Sequence, residues 1–137
     1  MIRKATQSDV ANLVGLLKKF HKERKFEWAF NPALLSITFS SAILSPENWI
    51  CLTGEGCLLL ATCFVSPLGA GKLAVEYYLC AEKPGQFELL LEAYETWARS
   101  KSCDLISLGC TERFPAFQRL YGRYGYQPAE MTMSKVL

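Results

Sequence analysis

The chain has 137 residues, of which 50% are hydrophobic and 20% are charged, and its formal net charge is +2. This length and composition are ordinary for a packed globular protein, so residues 1–137 are interpreted as one domain. The small net charge and the lack of a long basic run argue against a nucleic-acid partner.

Local sequence signals predict ten elements in the order β-α-α-β-β-β-α-β-α-β. In chain order they are a strand at residues 1–4, a helix over about 8–22, a helix from 32 until Ser45-Pro46, strands at 49–53, 57–65 and 72–81, a helix from about 84, a short buried strand at 104–108, a helix from 115 and a strand at 131–136. The strand–helix–strand unit implies a parallel pair, and the early hairpins imply antiparallel pairs. The predicted fold class is therefore α/β, with a mixed sheet and helices on both faces.

Several helix ends carry recognisable signals. Thr6 and Asp9 resemble a capping box before the first helix. Pro84 suits the first position of the central helix, and Gly125 is the predicted stop signal of the last helix.

Targeting and metal-binding features are sparse. The N-terminus has early charge but no apolar segment behind it, and the longest apolar run, residues 57–65, is too short to span a bilayer. We therefore expect a cytoplasmic location, no membrane partner and reduced cysteines. The six cysteines contain no C-x-x-C pair, and the only histidine, His21, falls on the charged side of a predicted helix. Neither a metal site nor histidine-based nucleophilic catalysis is expected.

Three stretches together resemble the GNAT superfamily of N-acetyltransferases over essentially the whole chain. They are IRKATQSDVANLVGLL, LLLEAYETWARSKSCDLISLG and FQRLYGRYGYQPAEMTMSKVL. The last stretch looks closest to small GNAT proteins of the phage type. The resemblance implies the GNAT acyl-CoA N-acyltransferase fold, with a mixed, mostly antiparallel sheet.

The same resemblance implies a chemistry and its partners. The family transfers an acetyl group from the cosubstrate acetyl-CoA to a primary amine by direct attack, with no metal and no covalent intermediate. The acceptor is a small molecule, a peptide or a protein, and dimers are common in the family. The family builds its acceptor site largely from the first helices, here residues 20–45, and a loop, here residues 66–71.

Tyr121, in RLYGRYGY, matches the tyrosine that acts as general acid in the family. A phenol with a reference pKa near ~10 can give a proton to a departing thiolate. The alternative is that Tyr121 packs in the core beside Leu120 and Tyr124.

Glu76 is the ionisable carboxylate within the strand KLAVEYYLCA. In some GNAT proteins a glutamate on the equivalent strand acts as base. Strand alternation predicts that Glu76 shares a face with Ala74, Tyr78 and Cys80. A surface acid or an ion-pair partner is an equally good interpretation of Glu76.

The family's loop for the CoA pyrophosphate, R/Q-x-x-G-x-G/A, corresponds to a shortened segment at residues 82–87. Its first residue is not in place, Pro84 removes an amide donor, and Glu82 and Glu88 bring negative charge. The residues left for contact with acetyl-CoA, by resemblance, are Cys80, Ala81, Lys83, Gly85, Gln86 and Phe87. A lysine in such a position is more often a solvated loop residue, and this alternative stays open for Lys83. The damaged loop favours a second hypothesis, a non-catalytic GNAT-fold protein with a binding, regulatory or phage virion-associated role.

Aromatic residues are frequent in the segment assigned to the acceptor. Phe26, Trp28, Phe30 and Phe39 are candidates for the lining of an apolar pocket. Aromatic residues at such spacing are more often core residues.

Overall fold

The computed structural model describes residues 1–110, 114–130 and 132–137. Within this part, one sheet contains β1 (Ile2–Lys4), β2 (Asn48–Thr53), β3 (Leu58–Val65), β4 (Lys72–Cys80) and β5 (Leu105–Ser107). The helices are α1 (Val10–Arg24), α2 (Pro32–Leu44), α3 (Gln86–Ser100) and α4 (Phe114–Gly122). The strands lie in sequence order; β4 and β5 are parallel and the other neighbours are antiparallel. The predicted mixed, mostly antiparallel sheet is confirmed.

The first two helices begin close to their predicted starts, and each start has a capping residue. The backbone N–H of Thr6 donates to Oδ2 of Asp9 at 2.8 Å, in a short 3₁₀ turn that leads into α1. The side chain of Asn31 accepts a hydrogen bond from the backbone N–H of Leu34 at 3.0 Å, and Pro32 occupies the first turn of α2. These bonds satisfy backbone donors that a helix start otherwise leaves unpaired.

The helices cover both faces of the sheet. On one face α1 and α2 bury an apolar cluster against the strands, which includes Leu13, Phe39, Ile50, Leu58 and Tyr78. On the other face α3 buries a second cluster, which includes Leu90, Tyr94, Cys51, Leu59 and Ala61. Because both faces are buried, β3 is apolar almost without interruption. Each large side chain buried in this way contributes roughly 1.5–3 kcal/mol to the free energy of unfolding.

The loop between β3 and β4 sets up the pairing of β4 with β5. Gly71 has a φ of +85°, and a Cβ there would collide with the side chain of Asp104. Asp104 accepts a hydrogen bond from the N–H of Lys72 at 2.9 Å, and its own N–H donates to the Lys72 carbonyl at 2.8 Å. These two bonds fix the point where the parallel pair starts.

Of two predicted helix ends, the start of α3 differs from the prediction and the end of α4 agrees with it. Pro84 is not the first residue of α3, because Gly85 precedes the helix in a left-handed conformation with φ of +76°. The N–H of Gln86 donates to the Lys83 carbonyl at 3.2 Å, which closes a turn before the helix. At the end of α4 the prediction is confirmed: Gly125 has a φ of +89° and its N–H donates to the Gly122 carbonyl at 3.2 Å, while the N–H of Tyr126 donates to the Tyr121 carbonyl at 3.2 Å, so Gly125 stops the helix.

The final strand predicted at residues 131–136 is wrong over 132–136, where the backbone is irregular; Met131 lies outside the described residues. Met133 is 98% exposed and Val136 is also exposed, so these apolar side chains pack against nothing that would fix a strand. The short strand predicted as buried is instead half-exposed, since β5 has no strand on its outer edge among the described residues.

Candidate active site

The strands β4 and β5 pair only briefly and then separate. Their ladder ends where Val75 faces Ser107, although β4 continues along β3 to Cys80. Beyond Val75, no strand in the described part of the chain covers the outer edge of β4. An open cleft therefore begins at Glu76.

A β-bulge lies at the mouth of this cleft. Glu76 and Tyr78 face consecutive residues of β3, which leaves Tyr77 as the extra residue. Because a bulge breaks the alternation of side chains, Ala74 packs in the cluster under α3 whereas Tyr78 and Cys80 pack toward α1 and α2. The prediction that Glu76 shares a face with all three was wrong for Tyr78 and Cys80.

Glu76 bridges the gap between the separating strands. Its Oε2 accepts a hydrogen bond from the backbone N–H of Gly109, just after β5, at 2.9 Å. Burial raises the pKa of Glu76 to about 7, although the bond from Gly109 acts in the opposite direction. Both protonation states of Glu76 are therefore populated near neutral pH.

Tyr121, on α4, reaches the same glycine from the other side. Its hydroxyl donates to the carbonyl of Gly109 at 3.0 Å. Its ring stacks on Phe87 at 5.9 Å between centroids and packs against Phe117 at 5.5 Å. Burial and, next, the charge of Glu76 raise the pKa of Tyr121, so the phenol keeps its proton at neutral pH.

Glu76, Gly109 and Tyr121 line one cavity of about 690 Å³. Its other walls come from α1, α2, the segment between them and the end of β4. This volume lies within the range of pockets that hold drug-sized ligands.

The aromatic candidates from the sequence belong to the cavity wall. Phe26, Trp28, Phe30 and Phe39 all line the cavity, and Phe39 is also a buried core residue. The two interpretations of these residues, pocket and core, therefore both apply to Phe39.

His21, which was predicted on the charged side of a helix, belongs to the cavity wall together with Arg24. Its Nε2 is hydrogen-bonded to the backbone carbonyl of Trp28. Its position four residues after Leu17, which also lines the cavity, is the signal that would have found it, because such residues share a helix face.

The whole chain superposes on solved acetyltransferase structures. A possible acetyltransferase from Clostridium difficile 630 has a TM-score of 0.78 at 13% identity, covering 100% of this chain and 96% of that one. A predicted acetyltransferase with acetyl-CoA from Clostridium acetobutylicum has a TM-score of 0.76 at 16% identity, covering 99% and 95%. AAC(6')-Iy in complex with a CoA bisubstrate analogue has a TM-score of 0.76 at 10% identity, covering 100% and 97%. This chain has the GNAT acetyltransferase fold.

No protein-family model matches the sequence, and no curated protein matches it. At identities this low, structural similarity establishes the fold, and activity and substrate have to be argued from the site. The closer resemblance to phage-type GNAT proteins stays a prediction.

The residues predicted to contact acetyl-CoA separate into two groups on this GNAT fold. Cys80, Ala81 and Phe87 line the cavity, whereas Lys83, Gly85 and Gln86 are not among its described wall residues. Cys80 is the last residue of β4 and Ala81 follows it, so these two residues lie where the open edge of β4 ends. An extended arm with amide groups suits such an edge, because it can pair with backbone donors and acceptors.

The start of α3 offers little to a pyrophosphate. Pro84 has no amide hydrogen, and the Gln86 amide already donates to the Lys83 carbonyl. The predicted phosphate contact through the Gln86 amide stays a prediction, and it requires this bond to open. The Gln86 side chain is buried, and its Oε1 has no hydrogen-bond partner among the described residues. The start of α3 therefore presents fewer free backbone donors for a phosphate group than an ordinary helix N-terminus does.

Other reactive groups are few. All six cysteines are free, and burial raises the pKa of Cys51 to about 12 and that of Cys63 to about 11, which makes both poor nucleophiles. Among the described residues, no group of three or more His, Cys, Asp or Glu is arranged to hold a metal ion. In the same part of the chain, no helix has the length and apolar character needed to cross a membrane.

Proposed function

We propose that this protein is an N-acetyltransferase that moves the acetyl group of acetyl-CoA to a primary amine by direct attack. One observation carries the proposal. A carboxylate with a pKa near 7, Glu76, and a protonated phenol, Tyr121, meet at Gly109 on the wall of one cavity. Base and acid are the two proton-transfer groups that this reaction needs.

Glu76 serves as the base in this proposal. A free primary amine with a pKa near ~10 is protonated in neutral water and must lose a proton before its nitrogen is nucleophilic. A carboxylate whose pKa lies near the working pH is well matched to accept that proton. Its bond to Gly109 uses Oε2, so Oε1 is the atom assigned to the amine.

Tyr121 serves as the acid. Acetyl-CoA supplies the thioester, whose C–S bond breaks as the new C–N bond forms. Tyr121 gives its hydroxyl proton to the departing sulfur. The ammonium nitrogen loses two protons in all: the first goes to Glu76 before the attack, and the second, lost as the C–N bond forms, returns to the phenolate of Tyr121, so the protons balance. For this step the hydroxyl must turn from the Gly109 carbonyl, its present acceptor, toward the sulfur.

The cosubstrate site is assigned to residues at the end of β4 and the start of α3. Cys80 and Ala81 would hold the pantetheine arm through their backbone groups, and Phe87 would flank it, since all three line the cavity. The amide of Phe87 and the side chain of Lys83 remain as candidates for phosphate contact.

The shortened segment before α3 supports a second candidate, a non-catalytic protein with a binding or regulatory role. Pro84 and the bonded Gln86 amide remove two phosphate donors, and the exposed Glu82 and Glu88 repel anions. A phage virion-associated role belongs to this alternative.

Two measurements separate the candidates. If acetyl-CoA binds only the folded protein, a concentration of 100 times its Kd stabilises by ~2.7 kcal/mol. A thermal-shift titration that stays flat to millimolar acetyl-CoA would refute the proposed enzyme. Binding without amine-dependent release of CoA, in a screen of primary amines, would favour the non-catalytic alternative.

A further inference from the structure

Part of the wall of the cavity that Glu76 lines is built from aromatic rings. Phe26 stacks on Trp28 with centroids 4.1 Å apart and planes at 20°. Phe20 lies 5.3 Å from Phe26 and meets Tyr78 edge-on at 4.5 Å. These rings form a continuous surface from the segment after α1 to the bulged end of β4.

The aromatic segment, residues 26–30 between α1 and α2, is held in place at both ends. His21 bonds to the Trp28 carbonyl, and its ring lies 5.7 Å from that of Phe30. After the segment, Asn31 caps α2. A wall fixed in this way can bind a flat apolar group without a large ordering cost.

The charges on the cavity wall are few and close to balance. Among the described wall residues the carboxylates are Glu76 and Glu82, and the guanidinium of Arg24 lies 5.3 Å from the centroid of the Phe20 ring. Glu82 has Lys19 as an ion-pair partner at 3.9 Å. A ligand with several positive charges would find only these two carboxylates among the described wall residues, one of them already paired, whereas its binding needs several carboxylates to replace water.

Resting on the proposed acetyl transfer at Glu76, we infer that the acceptor is a compact arylalkyl amine with a single amino group. The aromatic body lies against Phe26 and Trp28, and the amine reaches Glu76 across the cavity. Apolar contact with the rings supplies the binding, and the carboxylate selects the reacting end. Since the same cavity also receives the thioester arm, the acceptor has room for little more than one ring and a short chain.

The test compares four amines at fixed acetyl-CoA by CoA release and by product mass: 2-phenylethylamine, n-butylamine, spermidine and kanamycin. We expect kcat/KM for 2-phenylethylamine to exceed that of each other amine by at least about tenfold. Equal or better turnover of spermidine or kanamycin would overturn this inference and leave the acetyltransferase proposal standing. Transfer to none of the four would overturn both.

A substitution in the wall provides a second readout. Trp28→Ala should raise KM for 2-phenylethylamine about tenfold while KM for acetyl-CoA stays unchanged. Trp28→Phe keeps a ring and should recover most of the loss. Leu44→Ala, at an exposed position at the end of α2, is the matched control and should change neither KM. An unchanged amine KM in Trp28→Ala would remove Trp28 from the acceptor site and contradict the inference.

Discussion

Glu76 and Tyr121 bind the two polar backbone groups of the same residue: Glu76 accepts from the N–H of Gly109 at 2.9 Å, and Tyr121 donates to its carbonyl at 3.0 Å. The two side chains come from β4 and α4, which are far apart in sequence. Gly109 lies just past the end of β5, where β4 and β5 have separated. The separation of the strands therefore makes the site, because a continuous ladder would occupy these backbone groups.

Removing the hydroxyl of Tyr121 tests its role as acid. We expect Tyr121→Phe to lower kcat by roughly 100-fold, since a positioned proton donor is lost, and to leave the Kd for acetyl-CoA within about twofold. Tyr126→Phe is the matched control, because it also loses a hydroxyl bond, to Glu95, but does not line the cavity. Equal kcat in Tyr121→Phe and the unmodified protein would remove Tyr121 from catalysis.

The pH dependence of the rate tests Glu76. If Glu76 is the base, kcat/KM at constant free-amine concentration rises as pH increases through about 7 and then levels off. Glu76→Gln should be slow and should lack this rise. The same rise in the variant would assign the titration to another group.

The same substitution has a separate effect on stability. The folded-state pKa of Glu76, about 7, lies above its ordinary value of 4.5. The stability linked to its proton is therefore complete below pH 4.5 and is lost as pH rises through about 7. We expect the free energy of unfolding of Glu76→Gln, relative to the unmodified protein, to increase across this window. Urea unfolding at several pH values measures it, and a constant difference would contradict the assigned pKa.

Negative charge before α3 should weaken cosubstrate binding. Glu82→Gln is expected to tighten the Kd for acetyl-CoA by roughly two- to fivefold and to leave acetyl-pantetheine unchanged, because only the former carries phosphates. Glu23→Gln serves as control, since Glu23 also pairs with Lys19 but lies on α1. If both ligands respond alike, the effect is not due to the pyrophosphate.

Two glycines in one loop separate backbone strain from a side-chain collision. Gly69 and Gly71 both have positive φ, but only a Cβ at Gly71 would strike Asp104. Gly71→Ala should therefore lower the free energy of unfolding by roughly 1–2 kcal/mol more than Gly69→Ala does. Equal losses, measured by urea unfolding, would show that Asp104 moves aside without cost.

Most of the fold was predictable because its signals are local. The capping box of Thr6 and Asp9 and the helical spacing in α3 depend on neighbours within a few residues. The final strand failed because a strand needs a partner, and its sequence carries no information on whether β5 is long enough to provide one.

The site was less predictable than the fold. The bulge at Tyr77 shifts the faces of β4, and it depends on the register with β3, which no single-strand pattern reports. The shared attachment of Glu76 and Tyr121 to Gly109 depends on where two strands part. His21 was the exception. Its spacing of four residues from Leu17 predicts that both lie on one helix face, but its charged neighbours led to a different assignment.

The most direct test of the account is a crystal structure determined with acetyl-CoA. We expect the thioester in the cavity between the end of β4 and α4, with the Tyr121 hydroxyl moved from the Gly109 carbonyl to within hydrogen-bonding distance of the sulfur. Oε1 of Glu76 should then face the carbonyl carbon across the space left for the amine. A thioester bound outside this cavity, or a Tyr121 hydroxyl that still donates to Gly109 with the sulfur out of reach, would contradict the proposed mechanism.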